Sequence, residues 1–197
     1  MKKINKFFYK ILFFVLLIFP VNAENKILNI GDSYAKITIK VFSSLTCPHC
    51  ANFHKNIFEN LKKEYIDKGI VKFEHHSFPL DLAALNAEII VRCHLDNNKS
   101  FQLLSEIYKK QSQWAVGSDI NVINESIKKI GLDSGLDNNK MDKCLNNETT
   151  QETILNERIE AQKKYKIEST PTIYINKKQY KDKHKYKQFK KAIEKFL

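Results

Sequence analysis

The stretch Ile37-Thr38-Ile39-Lys40-Val41-Phe42-Ser43-Ser44-Leu45-Thr46-Cys47-Pro48-His49-Cys50 changes character twice. It opens on alternating, β-branched residues through Phe42, the pattern of a half-buried strand. Ser43, Ser44 and Thr46 break that alternation. Two cysteines then frame Pro48 and His49, and Phe53, Ile57, Leu61 and Tyr65 follow at helical spacing. Gly69 offers a helix stop, and residues 71–78 read as a second strand ending before Pro79. The pattern predicts a βαβ unit with the cysteines where the first strand enters the helix.

That position carries chemistry. Two cysteines three positions apart in a helical first turn are close enough to form a small disulfide ring. The free amides of that turn and the positive end of the helix favour a thiolate on Cys47. Pro48 suits the first turn, because its missing N–H loses no bond there. His49 adds a positive partner when protonated and an N–H donor otherwise. All three effects lower the pKa of Cys47. A reduced form stabilised in this way makes the disulfide easy to reduce, hence oxidising toward other thiols. Half of a zinc site is the competing reading of a Cys-x-x-Cys pair. It would have to recruit His49 and His54, or Cys93 and Cys144, which lack ligand-pair spacing. The redox reading is taken, with no metal and no cofactor beyond the Cys47–Cys50 disulfide itself.

Upstream, Lys2, Lys3, Lys6 and Lys10 precede an apolar run over residues 11–19, then Pro20 and Val21-Asn22-Ala23. This order of basic, apolar and small residues predicts a secretory signal peptide over residues 1–23. The run is about half of the ~20 residues a spanning helix needs; an uncleaved anchor is the alternative. About 174 residues remain, enough for one domain with a core or a domain carrying an insertion. The net charge is +11 for the whole chain and about +7 without the four signal lysines. The excess collects over residues 177–195, where lysines far outnumber Asp182 and Glu194. Few aromatics interleave there, and an exported chain does not meet nucleic acid, so the block reads as a solvated face.

Downstream, residues 81–166 turn helical. Leu82, Leu85, Ile89 and Cys93 share one face, as do Phe101, Leu104 and Tyr108, then Ile120, Ile123, Ile127 and Ile130. Ser118 and Asp119 mark a helix start, and Gly131 and Gly135 mark breaks. Met141, Cys144 and Leu145 sit in a short helix. Thr149 with Glu152 has capping-box spacing before a last long helix through Ile154, Arg158 and Tyr165. Strand character returns at residues 172–175 after Pro171, with 178–180 as hairpin partner turning at Asn176-Lys177. Residues 186–196 read as a closing helix with Phe189, Ile193 and Phe196 on one face. An even count of four cysteines in an exported chain points to disulfides, with one close, reactive pair and one distant, structural pair.

Taken together, Asn29-Ile30-Gly31-Asp32, Ile37-Thr38-Ile39 and Ser44-Leu45-Thr46-Cys47-Pro48-His49-Cys50, with Ser169-Thr170-Pro171-Thr172 about 120 residues later, resemble the DsbA family of thioredoxin-fold oxidoreductases. The resemblance implies an α/β, thioredoxin-like fold with an inserted helical domain. Its first part is residues 24–80, its insert 81–166 and its second part 167–197. It makes Cys47 the exposed nucleophile and Cys50 the buried resolving cysteine, with Pro48 and His49 setting the redox poise. It places Thr170 and a cis Pro171 at the substrate-binding surface, where a client backbone pairs briefly as a strand. It also implies a structural disulfide between Cys93 and Cys144, as in a subset of alphaproteobacterial DsbA proteins. Two positions depart from the family pattern. Val41 stands where a buried acid usually serves the resolving thiol, and Lys177 and Lys178 stand where the hairpin usually has glycine.

The resemblance further implies a monomeric periplasmic enzyme that oxidises reduced or unfolded exported proteins and is reoxidised by a quinone-linked inner-membrane partner resembling DsbB. An isomerase or reductase is the alternative within the same chemistry. Thr170 before the proline is less typical of the strongest oxidases, but no room remains for an isomerase's dimerisation domain. A peptide-binding chaperone is the alternative outside it, and the intact Cys47/Cys50 pair argues against that.

Overall fold

A computed structural model describes residues 27–197; the expected signal peptide, 1–23, lies outside them. Five strands form one sheet: β1 (Leu28–Ile30), β2 (Ile37–Ser43), β3 (Val71–Ser77), β4 (Thr172–Ile175) and β5 (Lys178–Tyr180), in the order β1-β3-β2-β4-β5. Strands β2 and β3 are parallel neighbours, and the other pairs are antiparallel. The predicted strand-helix-strand unit is therefore the centre of the sheet. Edge strand β1 has no counterpart in the sequence reading; three residues are too few to show a period.

Alternation along β2 divides the core. Ile37, Ile39 and Val41 join Cys47, Cys50, Phe53, Ile57 and Leu61 in the main cluster, while Phe42 turns to the other face against Phe78, Ala161 and Ile167. Helix α1, residues 48–66, carries the second cysteine. It runs as α-helical Pro48–Phe53, π-helical His54–Phe58, a short α-helical Glu59–Leu61 and π-helical Lys62–Ile66. It stops three residues before Gly69, the expected end.

Between β3 and β4 lie α2 (Leu82–Val91), α3 (Asn97–Lys109), α4 (Gln111–Trp114), α5 (Ile120–Asp133), α6 (Asn138–Leu145) and α7 (Glu148–Tyr165). Asp81, Asp96, Asp119, Asp137 and Asn147 cap five of them by accepting a backbone N–H of the first turn. Such caps are typically worth ~1 kcal/mol each. Two sequence expectations are corrected here. The cap of α7 is Asn147, which accepts from the Thr150 N–H at 2.9 Å; Thr149 is already inside the helix. Gly131 breaks nothing. It lies within α5, where an added Cβ would collide with the Met141 sulfur, so it permits close packing of α5 on α6. The break falls at Gly135, in the left-handed region.

The β4–β5 hairpin turns through Asn176, also left-handed. Its side-chain oxygen accepts from the Thr38 N–H at 2.8 Å. Asparagine thus supplies the conformation expected of glycine, and Lys177 and Lys178 remain compatible with the turn. Helix α8 (Tyr186–Glu194) closes the main core with Phe189 and Ile193. Phe196 lies just beyond its end and packs partly buried against that core. No helix among the described residues is long and apolar enough to cross a membrane.

Candidate active site

Cys47 is the residue at which strand becomes helix. It keeps an extended backbone at the N-cap of α1, and its carbonyl accepts the N–H of Cys50 at 3.1 Å and of Ala51 at 3.2 Å. Pro48 occupies the first helical turn, and Pro48 and His49 are exposed; Cys47, expected to be exposed, is only 7% accessible, because the Thr170 segment packs over its sulfur, so both cysteines are buried. The loop before Cys47 is pinned from the helical insert. Gln111 Nε2 donates to the carbonyls of Leu45 at 2.7 Å and Cys47 at 3.0 Å. Thr46 donates its hydroxyl to Asp81 at 2.7 Å. Gln111 and Asp81 sit in a helix and at a cap, and nothing in their local pattern marks them as supports of a distant loop.

The far side of the site comes from the segment before β4. The Thr170–Pro171 peptide is cis, and the Thr170 carbonyl oxygen accepts from Cys47 Sγ at 3.3 Å. Cys47, Pro48, His49, Cys50, Thr170 and Pro171 therefore meet in one place. Cys93 and Cys144 do not. They are bonded to each other, with Cα atoms 6.0 Å apart, and tie the end of α2 to α6.

The two active-site thiols are pushed in opposite directions. Cys47 is pulled down to about 5. The largest cause is the Cys50 thiol, which donates to the Cys47 sulfur; burial opposes this, and the Thr170 side chain and the backbone N–H groups of Cys50 and His49 assist. His49 thus acts through its backbone here. Cys50 is pushed far above the usual thiol range, first by burial, then by its bond to Cys47 and the charge on that sulfur. His184 lies near His49; partial desolvation of its ring first, and then the His49 charge, lower its pKa. Among the described residues no group of three or more His, Cys, Asp or Glu side chains is placed to hold a metal ion.

A strand-to-helix dithiol facing a cis-proline segment, on a sheet interrupted by a helical insert, defines a thioredoxin-fold dithiol protein. The chain belongs to the thioredoxin family: the family model described as Thioredoxin matches residues 23–195. Its fold and sequence are similar to DsbA proteins, as the motif implied. The crystal structure of Wolbachia pipientis alpha-DsbA1 aligns with a TM-score of 0.80 and 26% identity, covering 91% of this chain and 94% of that one. Disulfide bond formation protein D of Bacillus subtilis is 29% identical over 85% of this chain and 76% of its own. A Rickettsia typhi relative whose name carries the words protein-disulfide oxidoreductase is 30% identical over 78% of this chain and 56% of its own length. The chain spans less than two thirds of the length of that relative and of its Rickettsia counterparts.

Proposed function

We propose that this protein is a periplasmic thiol–disulfide oxidase that introduces disulfide bonds into exported proteins. The observation that carries the reading is the opposed ionisation of its two thiols: Cys47 lowered to about 5, Cys50 raised. A client thiolate attacks Cys47 Sγ of the Cys47–Cys50 disulfide, and Cys50 leaves and is protonated. A second client thiolate then attacks the client sulfur of the mixed disulfide, and Cys47 leaves as a thiolate that the site already stabilises. A thiolate with a pKa of about 5 at pH 7 favours the reduced protein by about 3 kcal/mol, or about 60 mV. That bias drives disulfides outward, onto clients. The cis segment supports client binding, because Thr170 presents backbone groups beside the Cys47 sulfur that the client attacks, for short-lived strand-like pairing.

The basic, apolar and small-residue order of residues 1–23 supports export to the periplasm. A quinone-linked membrane partner would return the dithiol to the disulfide; the protein works as a monomer and needs no cofactor. Equilibration of residues 24–197 with glutathione buffers tests the direction. The expected potential lies well above that of thioredoxin, about −270 mV. A value near thioredoxin's, with rapid unscrambling of a mispaired substrate, replaces the oxidase with the isomerase or reductase reading.

A further inference from the structure

The fold divides the lysine excess of residues 177–195 between the two ends of the sheet. Strand β4 is antiparallel to β2, and Thr172 opposite Phe42 puts its start beside the active-site loop. Strand β5 runs back, with Tyr180 opposite Ile173, and returns the chain to that same end. Lys181, Lys183, Lys185 and Lys187 therefore emerge on the side of the dithiol, and all four are exposed. Lys177 and Lys178 sit at the turn, at the opposite end of the sheet. Helix α8 carries Lys191 and Lys195 toward that opposite end as well, where the Leu197 carbonyl accepts from Lys36, the residue before β2.

The loop that carries the first group is pinned. The Tyr180 hydroxyl donates to the Lys183 carbonyl at 2.7 Å, and the Lys185 N–H donates to the same oxygen at 2.7 Å. His184 stacks on Tyr180 with centroids 6.0 Å apart and meets Phe53 of α1 edge-on at 6.3 Å. It comes near enough to His49 for the His49 charge to act on its ring. The lysines thus form a wall resting on the turn of α1 that follows Cys50. Their charges are uncommitted: none of the four forms an ion pair among the described residues, whereas Lys190, further along α8, holds Glu64 at 2.8 Å. Acids around the dithiol do not offset them. Asp182 is one against four within the loop, and Glu168 before the cis peptide has Lys166 two residues away. Asp81, on the other flank of Cys47, is engaged by the Thr46 hydroxyl and the Ala84 N–H. That flank is otherwise apolar: Leu82, Ala115 and Ile120 line a cleft there with Thr46.

We infer that the wall of Lys181, Lys183, Lys185 and Lys187 selects clients whose reactive cysteine is flanked by acidic residues. The inference names the client class of the exchange proposed above and rests on that reading. A client whose sulfur reaches Cys47 lies extended along the Thr170 segment, and at about 3.3 Å per residue the neighbours of its cysteine pass the wall within a few positions. Complementary charge at that range acts on encounter and register more than on the bond-making step. The step itself is unchanged: the client thiolate bonds to Cys47 Sγ, the Cys47–Cys50 bond breaks and Cys50 is protonated. The second client thiol gives its proton to water and displaces Cys47, so the client loses two electrons and the pair gains them. The four lysines touch neither sulfur; they set specificity. An anionic membrane surface is the other charged partner that fits such a wall. The position of the wall, beside the dithiol and not on a face remote from it, favours the client.

The test mixes oxidised protein, residues 24–197, with three reduced peptides under stopped flow. Each peptide carries the same cysteine pair, flanked by glutamate, serine or lysine. Every rate is divided by that of the same peptide with 2-hydroxyethyl disulfide, a neutral oxidant, which removes the effect of the flanking charges on the peptide thiol itself. At about 0.01 M ionic strength the glutamate peptide is expected to outpace the lysine peptide by about tenfold, falling to about twofold at about 0.5 M. The variant Lys181→Gln/Lys183→Gln/Lys185→Gln/Lys187→Gln should lose most of this preference and keep its rate with the serine peptide. The variant Lys177→Gln/Lys178→Gln/Lys191→Gln/Lys195→Gln removes the same charge at a distance and should keep the preference. Equal normalised rates for the three peptides overturn the inference. So does an equal loss in both variants, which assigns the preference to net charge and not to the wall. Sedimentation with phosphatidylglycerol vesicles tests the other partner: binding through the same four lysines, without peptide preference, overturns client selection in favour of a membrane surface. If the unaltered protein oxidises none of the peptides, the dithiol reading itself fails and this inference falls with it; if it oxidises all three alike, that reading stands and this one is lost.

Discussion

The two cysteine pairs are chemically the same and are handled in opposite ways by the fold. Cys47 caps the N-terminus of α1, where free N–H groups and the positive end of the helix meet its sulfur. Cys144 lies in the last turn of α6, at the negative, carbonyl end, where a thiolate is disfavoured. Cys47 has a protonated thiol as donor and an exposed flank at Pro48 and His49. Cys93 is 4% exposed and has the Lys140 carbonyl oxygen 3.7 Å from its sulfur, an acceptor that offers nothing to an anion. The contrast teaches that reactivity follows the groups that meet the sulfur: at Cys47 the partner thiol first, then the Thr170 side chain and the first-turn amides. The free energy of the first pair resides in the ionisation of its reduced state. That of the second resides in the unfolded chain, whose freedom a bond across 51 residues restricts.

The strongest way to break this division is to remove one sulfur at a time. Cys47→Ser should abolish oxidation of a reduced peptide. Cys50→Ser should still attack and should accumulate mixed disulfides visible by non-reducing electrophoresis. The double variant Cys93→Ala/Cys144→Ala should keep both exchange steps and the same redox potential. Turnover by Cys47→Ser, or a shifted potential in the double variant, ends the division. That double variant should instead lose stability. Closing a loop of this length is worth about 4 kcal/mol in the chain-entropy model, an upper figure for the drop in denaturant-derived stability.

A third, smaller effect separates the pairs by pH. The folded-state pKa of Cys47 is depressed from an ordinary 9.0 to about 5. Its stabilising contribution to the reduced protein is therefore complete above the unfolded value and is lost as pH falls through 5. At pH 7 it is about 3 kcal/mol. Reduced protein should lose that advantage over oxidised protein between pH 7 and 5 in parallel denaturant titrations. A gap that stays constant over this interval shows that Cys47 is not the charged member.

Much of this was legible in the chain. The β2 alternation, the cysteine motif and the helical spacing after it are local patterns, and they placed the strand, the first turn and the buried face of α1 before any contact was known. The pairing of Cys93 with Cys144 followed from resemblance, since nothing in their spacing joins them. What the sequence hid is what depends on distant residues meeting. Gln111 and Asp81 steady the Cys47 loop from the insert, and the largest influence on Cys47 is its own partner thiol, not His49. Val41 looked like a missing acid. Only the β2–β3 register shows that a histidine stands beside it on the same face.

The smallest effect concerns Thr170, where the active pair meets the second half of the fold. Its carbonyl and its side chain both reach Cys47, but only the side chain favours the thiolate. Thr170→Val keeps the β-branched shape and the carbonyl while removing the hydroxyl. A hydrogen bond to a charged group is worth about 1.5–3 kcal/mol when intact, but Cys47 keeps the Cys50 thiol and two backbone N–H groups as donors. The lower end is therefore expected: a rise of roughly one pKa unit, about 1.4 kcal/mol, and a potential about 30 mV more reducing. Thiolate absorbance near 240 nm read across pH measures the first quantity and glutathione equilibration the second. The two must move together, because one ionisation underlies both. A potential that shifts while the titration stays fixed would mean that Thr170 stabilises the oxidised pair instead, and the advantage of the reduced form would then rest on the bond from Cys50 and the first-turn amides alone.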